Sequence, residues 1–349
     1  MKKILYLYAE IMGYSLSTLK KLAEDDIEIH VVHWDERKIT PYQFHQLSNV
    51  YFYPRSQLNS LSIIDLIERI NPEIAVVSGW EDFEYLKACR YLIKKNVKTV
   101  CGFDDQWHGT LKQYFAAFIG ALKIFNIWFS HAWVCGPKQY EYARMLGFSK
   151  DEIVFDLYSA DIELFNKGYN KYFQAKALNY PHRFLFVGRF EDPKGLDILT
   201  AAWSSLGSHR KDWSLTLVGN GSLKSSIAKL ENIDVIDFMQ PELLVDLIGI
   251  CGCFILPSRF EPWGVVVHEF SAGGMPLILS DSVGSSDLFL ISGYNGYSFR
   301  NNSISDLREK MIKIINLSDE SLIEMSTRSS LLSKRITPES SSKNLLSIS

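Results

Sequence analysis

The chain has no cysteine framework. Its five cysteines, Cys89, Cys101, Cys135, Cys251 and Cys253, are an odd number, and four sit within or beside apolar, strand-like runs. That pattern predicts buried free thiols in a reducing compartment. Cys251-Gly-Cys253 is one residue short of a CxxC spacing and has no His/Cys cluster beside it, so no metal is expected there. A basic excess is also missing. The 37 Lys and Arg stand against 40 Asp and Glu, a net charge of -3, which argues against a nucleic-acid partner. There is no GxGxxG. In "LTLVGNGSL" the third glycine's place is taken by Lys224, which counts against a nicotinamide cofactor. Nor is there a clean membrane span. Tyr114 to Val134 is long enough, but Lys123, Asn126, Ser130 and His131 interrupt it. It reads as a buried helix and then a short strand, with a peripheral contact to a membrane surface as a further reading. The opening Met-Lys-Lys-Ile-Leu-Tyr-Leu halts at Glu10 without a small-residue cleavage site, so it reads as a first buried strand and not a signal peptide. The expected location is cytoplasmic, with the inner membrane face as the peripheral alternative.

What is present is an ordinary globular composition, 47% hydrophobic and 22% charged over 349 residues, a length that favours two domains. Short apolar runs alternate with longer amphipathic stretches. Ile4–Tyr8, Ile27–His33, Ile74–Ser78, Val97–Gly102 and His131–Cys135 read as strands, with helices between several of them. This β-α order predicts a parallel sheet covered on both faces. The pattern lapses from Leu157 to Tyr180, which reads as a linker, and restarts at Phe184. The expected division is an N-terminal Rossmann-like domain over 1–165, a linker over 166–181, a second Rossmann-like domain over 182–325, and a helical tail over 326–349 packing back toward the first domain.

The second half carries the chemistry. "FLFVGRFEDPKGLDIL" places Arg189 and Lys194 on one β-α loop, a planar fork and a point charge that together suit a diphosphate. A solvated loop with two ordinary cations is the competing reading. Gly219-Asn220-Gly221 ends the next strand, and glycines there let a ligand approach the backbone. In "PSRFEPWGVVVHEFSAGGMP", Pro262 and Gly264 keep Glu261 in a loop. A helix then begins near Gly264, with Glu269 on its second turn. The N–H groups of Gly264, Val265 and Val266 favour an anion, and carboxylates accept hydrogen bonds from hydroxyls. An anion held beside hydroxyls describes a nucleotide-sugar. A salt-bridged glutamate near a helix start is the plainer reading.

"VGRFEDPKG", "VGNGSL", "PSRFEPWGVVVHEFSAGGMP" and "GYNGYSF", in that order, resemble the retaining glycosyltransferase family 4 pattern with its E-x7-E motif. "YSADIELF" resembles that family's interdomain Asp-x-x-x-Phe, here Asp161 and Phe165, and "SKRITPESSSKNLLSI" its C-terminal helices. The likeness covers about the last 200 residues well and the first 150 only as layout. It implies an α/β GT-B fold, two Rossmann-like parallel domains facing across a cleft. It implies donor binding by Gly13, Arg189, Lys194, Gly219, Phe238, Met239, Glu261, Gly264, Val265, Val266 and Glu269, with Glu261 on the sugar and Glu269 on the ribose. Arg189, Lys194 and Glu261 would be catalytic, with His108 or Asp105 from "CGFDDQWHG" on the acceptor side. The donor would be a UDP- or GDP-sugar, used without cofactor or metal, as no DxD is placed to bind one. The acceptor would be a carbohydrate or lipid-linked hydroxyl. Asp237 stands where the family has glycine, and Asp287 where it has glutamate. The implied activity is retaining sugar transfer in surface polysaccharide or glycolipid assembly. A nucleotide-sugar epimerase of the same fold and a non-catalytic sugar-nucleotide-binding subunit are the alternatives.

Overall fold

The structure is a computed structural model that describes residues 2–36, 46–227 and 232–348. The chain packs as two compact units, Met1–Ser159 with Ile336–Ser349, and Ala160–Arg335. Each holds one parallel sheet.

The first sheet has seven strands: β1 (Lys3–Tyr8), β2 (Glu28–His33), β3 (Val50–Pro54), β4 (Ile74–Ser78), β5 (Lys98–Phe103), β6 (His131–Val134) and β7 (Ile153–Val154). Their order is β3-β2-β1-β4-β5-β6-β7. The unit's helices are α1 (Gly13–Glu24), α2 (Ser60–Ile70), α3 (Phe83–Lys94), α4 (Leu111–Ala121) and α5 (Pro137–Met145). β1 and β2 are buried from their second residue onward and β4 up to its last, as a doubly covered parallel sheet requires. The edge strand β3 was not expected. It is only half buried and ends in Pro54, whose missing N–H is tolerated at a sheet edge.

The second unit contains α6 (Ile162–Leu178), β8 (Arg183–Val187), α7 (Leu196–Ser205), β9 (Ser214–Val218), α8 (Lys224–Ile227), β10 (Asp234–Ile236) and α9 (Pro241–Ile250). It continues with β11 (Cys253–Leu256), α10 (Val265–Ala272), β12 (Leu277–Ser280), α11 (Ser286–Phe289), β13 (Gly296–Phe299), α12 (Ile304–Ile315) and α13 (Asp319–Ser333). Six strands run in the order β10-β9-β8-β11-β12-β13.

Two readings need correction. Most of 166–181, read as a linker, lies in the 17-residue helix α6. Its buried positions are Phe165, Gly168 and Lys176, a helical spacing disguised because two of the three are not hydrophobic. Gly168 is there for close approach, since a Cβ would lie 2.5 Å from a Val245 methyl of α9. Asp161 caps α6 by accepting from Leu164 N at 3.0 Å, and the Phe165 ring meets Phe270 edge-on at 5.7 Å. The Asp-x-x-x-Phe signature is thus a helix cap and a core anchor.

The second correction is α4. Among its residues only Gln113 and Gly120 are buried, so the expected buried helix is an exposed one. Among the described residues, no helix is long and apolar enough to cross a membrane. All five cysteines are free and buried, as expected. The last helix, α14 (Pro338–Leu346), belongs to the first unit. Ser341 Oγ lies 3.1 Å from Thr18 Oγ1 of α1, and Ser340 Oγ donates to Asp156 at 2.8 Å.

Candidate functional site

In the second unit the chain builds outward from β8 through β9 to β10, then returns to the other side of β8 for β11. Strand order therefore reverses between β8 and β11. Ligands of open parallel sheets bind where the carboxyl-end loops part at such a reversal. Lys194 ends the β8 loop and Glu261 lies in the β11 loop. Their side chains, 17% and 10% exposed, form an ion pair across the reversal. Ser258 Oγ donates to the same Glu261 carboxylate at 3.1 Å.

The loops are held in register by backbone. Arg259 N donates to Pro193 O at 2.8 Å. Gly195 has φ 65°, and a Cβ there would lie 2.2 Å from Pro257 O, so only glycine allows this closeness. The Arg259 guanidinium reaches Asp192 O at 2.9 Å, Asp197 at 2.5 Å and Asn302 at 2.8 Å. Sequence reasoning passed over Arg259, although it stands inside "PSRFEPWG". Its charge is used internally, to fasten the Lys194 loop to the Glu261 loop.

Glu261 lies outside α10 and forms a parallel bridge to Val283. Gly264, at φ 87°, turns the chain into α10, and its carbonyl accepts from Ser285 Oγ at 3.1 Å. The N–H groups of Val265 and Val266 open the helix and have no intrahelical acceptor by geometry. Gly219 sits after β9, where a Cβ would lie 1.9 Å from Gly188 O. Arg189 is exposed on the β8 loop. Glu191 ties that loop to the next by accepting from Ser222 N at 2.9 Å and Ser222 Oγ at 2.6 Å. Phe238 and Met239 are half-buried beyond β10. Asp237 and Lys224, both departures noted in the sequence, form an ion pair with each other. Asp287 is exposed on α11, a helix whose preceding residues Gly284 and Ser285 donate to Glu261 O at 3.0 Å and Trp263 O at 2.9 Å.

Glu269 lies on the second turn of α10. Loss of hydration, with the Asp161 charge adding to it, pushes its carboxyl up to about 7. Beside it, His268 is fully buried and structural. Its Nδ1 accepts from Ala160 N at 3.2 Å, so its Nε2–H donates to Ser333 O at 2.9 Å. The ring stacks on Phe289 at 4.3 Å. In the motif the two neighbours therefore differ: the histidine joins the starts and ends of helices, while the glutamate carries the perturbed charge.

The first unit also reverses strand order, between β1 and β4. Gly13 is the first residue of α1 and needs no positive φ. Asp105 and His108 share the loop after β5, with Nε2 3.9 Å from Oδ1. Asp104, half-buried, instead neighbours a cluster of tyrosines and a cysteine. Burial pushes the hydroxyls of Tyr8, Tyr14 and Tyr158 and the Cys135 thiol up, and the nearby Asp104 charge adds to each. The Tyr14 and Tyr158 rings lie 4.6 Å apart. This aromatic cluster was missed in the sequence, where its members are scattered over 150 residues of chain. A cavity of about 340 Å³ opens near the ends of β2, β3 and β4, lined by Trp34, Asp35, Arg55 and Asp82 among others. Asp82 there accepts from Trp34 Nε1 at 3.1 Å and Arg55 Nε at 3.0 Å.

Residues 170–329 match the family described as "Glycosyl transferases group 1". The fold, two parallel-sheet α/β units, is the GT-B fold of glycosyltransferases. Among individual proteins, an uncharacterized glycosyltransferase of Methanocaldococcus jannaschii is 32% identical over 138 residues, 38% of this chain and 38% of that protein. The chain thus spans little more than a third of the length of that relative. Sucrose-phosphate synthase from Thermosynechococcus elongatus superposes with TM-score 0.77 at 14% identity, covering 100% of this chain and 98% of that one. Anabaena HepE, solved with UDP and glucose, gives 0.73 at 15% identity, covering 100% and 99%.

Proposed function

We propose that the chain is a retaining glycosyltransferase that moves a sugar from a nucleotide-sugar to an acceptor hydroxyl without a metal. The observation that carries this is the Lys194–Glu261 pair at the strand reversal of the second sheet. The group 1 match spans both residues, and the presence of UDP in the HepE structure favours a uridine donor.

In this reading Lys194 and Arg189 hold the donor diphosphate, with Val265 and Val266 N–H adding donors at the opening of α10. The pair with Glu261 keeps Lys194 extended before the diphosphate arrives. Glu261 then accepts hydrogen bonds from the sugar hydroxyls, and Glu269 from the ribose. Phe238 and Met239 lie beside the base. As the bond from the anomeric carbon to phosphate breaks, negative charge grows on the leaving phosphate, and Lys194 and Arg189 stabilise it as a metal otherwise would. The acceptor oxygen forms the new bond on the same face, and its proton passes to the departing phosphate. Asp105 and His108 position the acceptor.

The test is titration calorimetry with UDP and GDP, then transfer assays in excess EDTA. Submillimolar binding of one nucleotide, lost in Glu269→Ala, and undiminished turnover in EDTA are expected. Binding of neither nucleotide, or activity lost to EDTA and restored by a divalent ion, overturns the assignment.

A further inference from the structure

Helix α4 exposes an unusual face. Leu111 is 89% exposed, Phe115 66%, Phe118 64%, and Tyr114 and Leu122 each 59%. At about 100° per residue these five side chains fall in an arc of about 100° on one side of the helix. The opposite side carries Gln113 and Gly120, and it is packed: a Cβ on Gly120 would lie 2.4 Å from the Leu146 carbonyl carbon. The helix is therefore seated on the body of its unit by its small and polar face and presents its large apolar face outward. That inverts the usual order for a surface helix, and a contiguous apolar patch of this kind marks an interaction surface.

Charge identifies the occupant. From Gln106 to Tyr140 there is no Asp or Glu, while Lys112, Lys123 and Lys138 all carry positive charge. Lys112 and Lys123 flank the apolar arc at its two ends and are exposed; Lys123 Nζ donates one of its hydrogens to Gly147 O at 2.5 Å. Trp107 sits at one end, its ring 4.9 Å from Tyr114, and half-buried Trp128 lies beyond the other. Apolar side chains in the middle, indole and phenol rings at the margin and lysines around them fit the boundary of an anionic bilayer. A second copy of the chain would bring these lysines against one another with no carboxylate in 106–140 to receive them, and Glu152 already neighbours Lys123.

We infer that α4 docks the first unit on an anionic lipid surface, lying in the interface without crossing it. The inference rests on α4 alone and stands apart from the transfer reaction. It assigns the exposed rings to the acyl boundary and the lysines to lipid phosphates.

The test is sedimentation of the full chain with vesicles of phosphatidylcholine alone or mixed with phosphatidylglycerol. Binding to the mixed vesicles is expected, about tenfold weaker for Lys112→Glu and weakened by salt. The double variant Phe115→Asp with Phe118→Asp is expected to bind at least about tenfold more weakly. Both rings are exposed, so its thermal melting should match the wild type. No binding of the wild type, or equal binding by the double variant, overturns the inference. So does a wild-type dimer in ultracentrifugation that the double variant loses while vesicle binding persists.

Discussion

Both units reverse strand order and so offer a crevice at the carboxyl ends of their sheets, yet they furnish it differently. In the second unit the crevice is built from glycines at restricted angles, a lysine–glutamate pair and an arginine that fastens the loops. In the first it is built from one buried and two half-buried tyrosines and a buried cysteine near Asp104, with Asp105 and His108 on a nearby loop. The second crevice is specified by backbone and charge, the first by packing. A nucleotide diphosphate offers the same groups to every enzyme that uses it, so its site can be written in short motifs. In the proposed reading the first crevice takes the acceptor, which varies, and a packed aromatic surface can vary with it.

The largest expected effect breaks the second crevice. Lys194→Ala should lower turnover by about 10²–10³-fold, as loss of one group stabilising a leaving charge does. It should also lower the melting temperature, because Glu261 is left buried without its partner. Adding Glu261→Gln should restore part of the melting temperature and none of the turnover. Unaltered melting in the single variant would show the pair to be dispensable for the fold.

Next come the glycines, which set the units directly against each other. Gly195→Ala must fit a Cβ against Pro257 O at φ 65°, and a loss of about 2 kcal/mol or more is expected by denaturant titration. Gly13→Ala, at the first position of a helix, should change stability by about 0.5 kcal/mol or less. Equal costs at both sites would erase the contrast.

A smaller effect concerns pH. Glu269 is raised to about 7 in the fold, above its unfolded value of about 4.3. The folded state then holds the proton more tightly, so this group's contribution to stability is largest at low pH. It declines as pH rises from the unfolded value and levels off above about pH 7. Glu269→Gln should flatten melting temperature against pH over that window, measured by calorimetric scans. A slope unchanged by the substitution would assign the pH dependence elsewhere.

The smallest effect is on the surface. Lys224→Ala breaks an ion pair whose aspartate is 70% exposed, and a loss under about 1 kcal/mol is expected. A larger value, read by chemical denaturation, would make the Lys224–Asp237 pair part of the architecture beyond β9 and β10.

The β-α alternation was legible because buried parallel strands must be nearly continuous apolar runs, as in "CFIL" and "LILS". The loops proposed to hold the donor were legible because glycine, proline and charge at the end of such a run have local meaning. Helix α6 was not, because its packing face uses a glycine and a buried lysine, whose Nζ donates to Cys251 O at 3.1 Å. Arg259 was not, because its partners lie 42 to 67 residues away by number: Pro193, Asp192, Asp197, Asn302 and Asn301.

Local order alone therefore determined two parallel α/β halves and which residue types stand ready for an anion and hydroxyls in the proposed reading. Tertiary structure decided that Lys194 and Glu261 face one another, since that depends on which strand lies beside β8. It raised the pKa of the Glu269 carboxyl, since desolvation is a property of everything packed around a carboxyl. It also turned α4's aromatic face outward. Hydrophobicity says that a side chain gains by leaving water, and only the packing of Gly120 on Leu146 says which side of the helix was already taken.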